Sequence, residues 1–178
     1  MPRTDADAGC AHSPLRAAPR RAHGFTLVEL VTVVAIVAVL AVLAAPSFTN
    51  LIRSQRIKTA TNDLVSTLIF ARSEAVKRNA DVTVSRVGTS WASGWTVTYV
   101  DGGTLTARTQ PALNQLSVTT AVPSLTFGGG GRADTPASFT VDSVPQASGV
   151  NARCVEIRPD GLPRIWAERG ANHDCTDD

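Results

Sequence analysis

Gly24-Phe25-Thr26-Leu27-Val28-Glu29-Leu30 opens the stretch on which the fold turns, for the sequence from Phe25 to Ala45 reads FTLVELVTVVAIVAVLAVLAA. In these 21 residues Glu29 is the only charge, and Thr26 and Thr32 are the only other polar side chains. As a helix the run is about 31 Å long, the thickness of a bilayer's hydrocarbon. Ten Leu, Ile or Val residues between Leu30 and Leu43 favour insertion by about 3–6 kcal/mol. A carboxylate at the centre of such a helix costs about 2.5–3.5 kcal/mol or more, so Glu29 calls for a partner and a purpose.

Upstream, residues 1–24 are rich in Ala, Pro and Arg with no hydrophobic period, the composition of a processing segment outside any fold. Downstream stands Pro46, which removes a backbone hydrogen bond and clashes with the preceding turn, so a kink is expected there. Helical spacing then resumes. Ile57, Ala60, Leu64, Leu68, Ala71 and Ala75 mark the apolar stripe of an amphipathic stem helix over 47–79, ending near Asn79. Its other face carries Arg53, Arg56, Lys58, Arg72, Lys77 and Arg78 against Asp63 and Glu74.

Past Asn79 the period changes to two, and Val, Thr, Trp and Tyr replace Ala, Leu and Arg. Strands are predicted near 82–87, 95–100, 104–109, 117–122, 139–141, 154–158 and 163–166. Asp101-Gly102-Gly103 and Pro159-Asp160-Gly161 read as hairpin turns, and 128–136 and 145–149 as loops. The fold class is therefore α+β: one long N-terminal helix, membrane-spanning over 25–46 and amphipathic beyond, packed on an antiparallel sheet or pair of sheets formed by 80–178.

At 178 residues the chain holds one domain and a membrane element. Hydrophobic residues make up 43% and charged ones 18%, which excludes general disorder. The net charge of +2 resides in residues 1–24, with four arginines and two aspartates; the remainder holds 13 basic and 13 acidic residues. A uniformly basic nucleic-acid surface is excluded. Past residue 24 there is one histidine, His173, so no His-based triad or multi-histidine metal site can form. There is no GxSxG, Walker or HExxH motif, and Gly128–Gly131 does not complete a phosphate cradle. No enzyme, metal or cofactor is expected.

The Gly24-to-Leu30 motif resembles the class III signal of type IV prepilins and pseudopilins. That resemblance implies cleavage by a prepilin peptidase between Gly24 and Phe25, N-methylation of Phe25, and a role in assembly for Glu29, whose partner is the new N-terminal amine of its own subunit or a neighbour. Pro46 also falls where that family has its helix kink. Two rival readings are an ordinary secretory signal cut near Val42-Leu43-Ala44 and a plain single-pass anchor. The apolar run exceeds the usual signal core and flows into an amphipathic helix, and an anchor accounts for neither Glu29 nor the Gly24–Phe25 junction.

The stretch from Asn62 to Asn79, with Trp91, Gly94-Trp95 and Asp101-Gly102, resembles the GspH/FimT family of minor pilins and pseudopilins. Ala71-Arg72-Ser73-Glu74-Ala75 and the paired tryptophans are closer to the FimT branch, found with type IV pili, than to the type II secretion branch. Trp91 and Trp95 read as core beneath the stem helix. The positive-inside count is almost a tie, with Arg16, Arg20 and Arg21 before the run and Arg53, Arg56 and Lys58 after it. The resemblance decides it: inner membrane, single pass, N-terminus cytoplasmic and C-terminal domain periplasmic, and also in the assembled filament. Implied partners are other pilins or pseudopilins, the prepilin peptidase, an inner-membrane assembly platform and membrane lipid.

If the C-terminal part is exported, Cys154 and Cys175 are able to pair; the alternative is two unrelated buried thiols. An alternative function is DNA capture for natural transformation, known for some FimT-like relatives with a Gly-Arg-x-Arg-type motif. Here Gly161-Leu162-Pro163-Arg164 has Leu162 at the first arginine position. Arg153, Arg158, Arg164 and Arg169 are the candidate contacts, yet residues 151–178 carry six acidic residues against these four. Any DNA binding is expected to be weak.

Overall fold

A computed structural model describes residues 24–168 and Cys175. Met1–Val42 and Leu43–Asp178 form two compact units, each described by itself. The leader assigned to 1–24 thus lies outside the described residues apart from Gly24, and so do Arg169 and His173. Helix α1 runs from Leu27 to Arg78 and contributes to both units. The kink expected at Pro46 falls within residues 43–46, whose side chains lie outside the described residues.

The C-terminal end of α1 is closed by its own backbone. Asn79 adopts a left-handed φ of 50°. Its N–H donates to the Val76 carbonyl at 3.3 Å, while that of Ala80 donates to the Ala75 carbonyl at 3.2 Å. This is a Schellman motif, with Asn in the position where a left-handed residue costs least after glycine. It turns the chain directly into the first strand.

Eight strands follow: β1 Val82–Arg86, β2 Trp95–Val100, β3 Thr104–Gln110, β4 Leu116–Thr119, β5 Ser124–Phe127, β6 Ala137–Ser143, β7 Arg153–Ile157 and β8 Pro163–Ala167. They form two four-stranded sheets, ordered β3-β2-β1-β5 and β4-β6-β7-β8. All their pairings are antiparallel. The hairpins expected at Asp101–Gly103 and Pro159–Gly161 join β2 to β3 and β7 to β8.

Three strand readings are corrected. The segment read as 117–122 is the shorter β4, and the segment read as 139–141 is the longer β6, which pairs along its length with both β4 and β7. Strand β5 was not expected. Only four residues lie between Pro123 and Gly128, although Leu125 and Phe127 are buried and Ser124 and Thr126 are not. Its partner is β1, about forty positions earlier, so its stability comes from a non-local ladder rather than from local propensity.

The core of the second unit lies between the stem part of α1 and both sheets. All six stripe residues, Ile57 through Ala75, are buried, and so are Val82, Val84, Val97, Leu125 and Phe127 of one sheet and Phe139, Val141, Val155 and Ile157 of the other. Trp91, in a 3₁₀ turn at Trp91–Ser93, links the two sheets. Its ring meets Phe139 edge-on at 5.0 Å and lies 6.3 Å from Trp95. The two tryptophans are 2% and 1% exposed, as core residues should be. Each buried indole N–H has an acceptor: Trp91 donates to the Val122 carbonyl at 2.8 Å and Trp95 to the Thr67 hydroxyl at 3.2 Å.

Candidate assembly site

Among the described residues of the N-terminal unit, no large apolar side chain is buried. Phe25, Leu27, Val28, Leu30, Val31, Val33, Val34, Ile36, Val37, Val39, Leu40 and Val42 are all exposed, from 49% at Val33 to 80% at Phe25. A helix that is apolar on every face finds its environment in lipid or among other helices. Leu27–Val42 alone is about 24 Å of helix, short of the bilayer's roughly 30 Å. Among the described residues no single helix is long and apolar enough to cross a membrane, although Leu27–Val42 and Ser47–Arg78 pass that test together.

Three polar groups sit at the start of this surface. The helix begins at Leu27, and Thr26 is its N-cap: the Glu29 N–H donates to the Thr26 hydroxyl oxygen at 3.2 Å, and the Leu30 N–H to the Thr26 carbonyl at 3.1 Å. Thr-x-x-Glu is the spacing of a capping box. Sequence reading noted Thr26 only as a polar exception; the spacing was there to identify the cap. Glu29 is exposed on the first turn, where a carboxylate also meets the positive end of the helix dipole. The Thr32 hydroxyl donates to the Val28 and Glu29 carbonyls at 2.7 and 3.0 Å, so its polarity is satisfied within the helix.

The second unit carries a further apolar surface of its own. Phe48, Leu51 and Ile52 are exposed and line an open groove of about 910 Å³ with Leu113 and Leu116. At the other end of the stem, the Arg72 Nε donates to the Gly131 carbonyl at 2.9 Å, tying the helix to the loop after β5. Arg72 was placed on a solvated face from sequence; in the structure it is half-buried and holds backbone.

Among the described residues, Arg153, Arg158 and Arg164 do not share one face of the hairpin. The β7–β8 hairpin forms, and Glu156 stands opposite Arg164 across it. Arg158 Nε lies 3.0 Å from Glu156 Oε1, so the Arg158 charge is paired with a carboxylate. Arg153 has the strand parity of Val155 and Ile157 and therefore points to the opposite face from Glu156. Arg169 lies outside the described residues. Cys154 of β7 is joined to Cys175 in a disulfide with Cα atoms 5.6 Å apart, which settles the pairing left open by the sequence.

The profile of the family described as "Type II transport protein GspH" matches residues 60–161, from the middle of the stem to the β7–β8 turn. The chain belongs to the GspH family. The prokaryotic N-terminal methylation motif matches residues 19–45, covering the Gly24–Phe25 junction and the exposed helix. No curated protein sequence matches the chain. The GspH fold is shared with the type IV minor pilin FimU of Pseudomonas aeruginosa, at 21% identity and a TM-score of 0.54, over 63% of this chain and 97% of that one. It is shared equally with the minor pseudopilin EpsH from the type 2 secretion system of Vibrio cholerae, at 17% identity, a TM-score of 0.54 and the same two coverages. In this GspH-family chain the methylation motif and the exposed helix coincide, the arrangement of a prepilin-type N-terminal anchor.

Proposed function

We propose that this chain is made as a precursor, cut between Gly24 and Phe25, N-methylated at Phe25, and assembled as a minor subunit of a type IV pilus or a type II secretion pseudopilus. The observation that carries the reading is the contrast between the two units. Residues 57–75 bury their apolar stripe inside their own domain, while Leu27–Val42 buries nothing. About 25 cal/mol per Å² of apolar surface is gained only when lipid or other helices cover it. Before assembly, bilayer lipid covers it, with the N-terminus cytoplasmic and the β-rich domain periplasmic. After assembly, equivalent helices of neighbouring pilins do.

Glu29 supplies the register in this reading. Cutting before Phe25 creates an amine one helical turn away, and a carboxylate in an apolar filament core is stabilised by pairing with such an amine. The run Ala71–Ala75 with the paired tryptophans favours the pilus-associated branch of the family. Intact-mass analysis of membrane-extracted protein tests the reading. A chain beginning at methylated Phe25 supports it, and one beginning at Ala45 establishes an ordinary signal peptide instead.

A further inference from the structure

We infer that Thr26 positions the Gly24–Phe25 bond for cleavage by fixing the start of the helix at Leu27, two residues beyond it. This rests on the processing reading above. Hydrolysis there adds water across the amide, leaving a carboxylate on Gly24 and an amine on Phe25. The carbonyl attacked is that of Gly24, and it must be free of helical hydrogen bonding and open on one face.

The structure shows what keeps it so. Gly24, Phe25 and Thr26 stand outside the helix, which begins at Leu27. In a helix extended toward the N-terminus, each N–H would bond the carbonyl four residues earlier. The Glu29 N–H would then take the Phe25 carbonyl, and the Val28 N–H the Gly24 carbonyl itself. Instead the Thr26 hydroxyl accepts from the Glu29 N–H at 3.2 Å, competing directly with the Phe25 carbonyl for that donor. The first backbone bond is shifted to Leu30 N–H on the Thr26 carbonyl, at 3.1 Å.

The surroundings strengthen the competition. Near a bilayer an amide without an acceptor is costly, so a chain lacking the hydroxyl satisfies the Glu29 N–H from the next available carbonyl, that of Phe25. The helix then grows toward the scissile bond. Gly24 resists this as a poor helix former, but it is one residue too far upstream to protect Phe25. Thr26 is therefore a positioning residue: it acts on where the helix starts and not on the bond itself.

The test compares full-length precursors with Thr26→Val, Thr26→Ser and Thr26→Asn in membranes containing the prepilin peptidase, with cleavage followed by mass. Val keeps the shape of Thr and loses the acceptor; Ser and Asn keep an acceptor and change the shape. The Val precursor should be cut about five-fold more slowly, and the Ser and Asn precursors within about two-fold of the parent. The ¹³Cα shift of Phe25, read in micelles without peptidase, should move to the helical value in Thr26→Val alone. Equal cleavage of Val and parent, or Asn as slow as Val, overturns the inference, as does a Phe25 shift unchanged by Thr26→Val. A parent precursor that is not cut at Gly24–Phe25 overturns the processing reading, an outcome separated from the others by the Phe25 shift.

Discussion

Gly161 lies so close to Gly131 that a Cβ built on Gly161 would collide with the Gly131 carbonyl oxygen. Both residues have positive φ, 73° and 74°. The contact joins the β7–β8 turn to the loop following β5, and Arg72 Nε, 3.2 Å from the same Cβ position, holds the Gly131 carbonyl from the helix side. Three elements from the helix and both sheets thus meet at one carbonyl. Gly161→Ala is expected to destabilise the second unit by about 2–3 kcal/mol, from left-handed strain and the displaced carbonyl together. Gly102 has a φ of 65° but nothing within 4 Å of its Cβ position, so Gly102→Ala should cost only about 1 kcal/mol. Thermal unfolding of the detergent-solubilised chain, followed by circular dichroism, separates the two.

Thr67→Val removes the acceptor for the Trp95 indole N–H in a site where both residues are buried. An unsatisfied buried donor costs about 1–3 kcal/mol. Urea titration followed by tryptophan fluorescence should show the loss. Adding Trp95→Phe should cost less in the Val background than in the parent, since it removes the donor that Thr67→Val left without an acceptor.

The Cys154–Cys175 bridge closes a loop with a sequence separation of 21. Its removal by Cys175→Ser should lower stability by about 3 kcal/mol on the chain-entropy account. Reductant should lower the melting temperature of the parent toward that of the variant and leave the variant unchanged. Non-reducing peptide maps should recover the two cysteines in one linked species; free thiols at both positions would remove the staple.

Glu29→Val removes a costly charge from the exposed helix, so membrane insertion should be retained or improved. It also removes the proposed partner of the N-terminal amine, so recovery in sheared filaments or secretion-system complexes should fall. Normal incorporation of the Val variant would rule out that pairing role.

For DNA, Arg158 is ion-paired with Glu156, Glu156 stands opposite Arg164 across the hairpin, and Arg153 has the opposite strand parity to Glu156. Duplex titration should therefore give weak binding that vanishes on going from low to physiological salt. Micromolar affinity that survives physiological salt and is lost in Arg158→Ala or Arg164→Ala would contradict this expectation.

The sequence by itself determined the features encoded by local pattern. A run from Phe25 to Ala45 with Glu29 as its only charge marked the helix that is exposed over Leu27–Val42, and the spacing from Ile57 to Ala75 named all six buried stripe residues. The Gly-containing turns at Gly102 and Gly161 located two hairpins, because a left-handed residue is needed at a sharp reversal whatever surrounds it. Only the tertiary structure decided which strands share a sheet. Strand β5 leaves β4 to pair with β1, and β6 returns to β4, choices made by non-local ladders that a four-residue segment cannot announce. The same holds for Arg72, Thr67 and the C-terminal arginines. Their partners, Gly131, Trp95 and Glu156, are fixed by packing and by strand parity and register, so what each side chain does emerged only when the helix and both sheets were assembled around it.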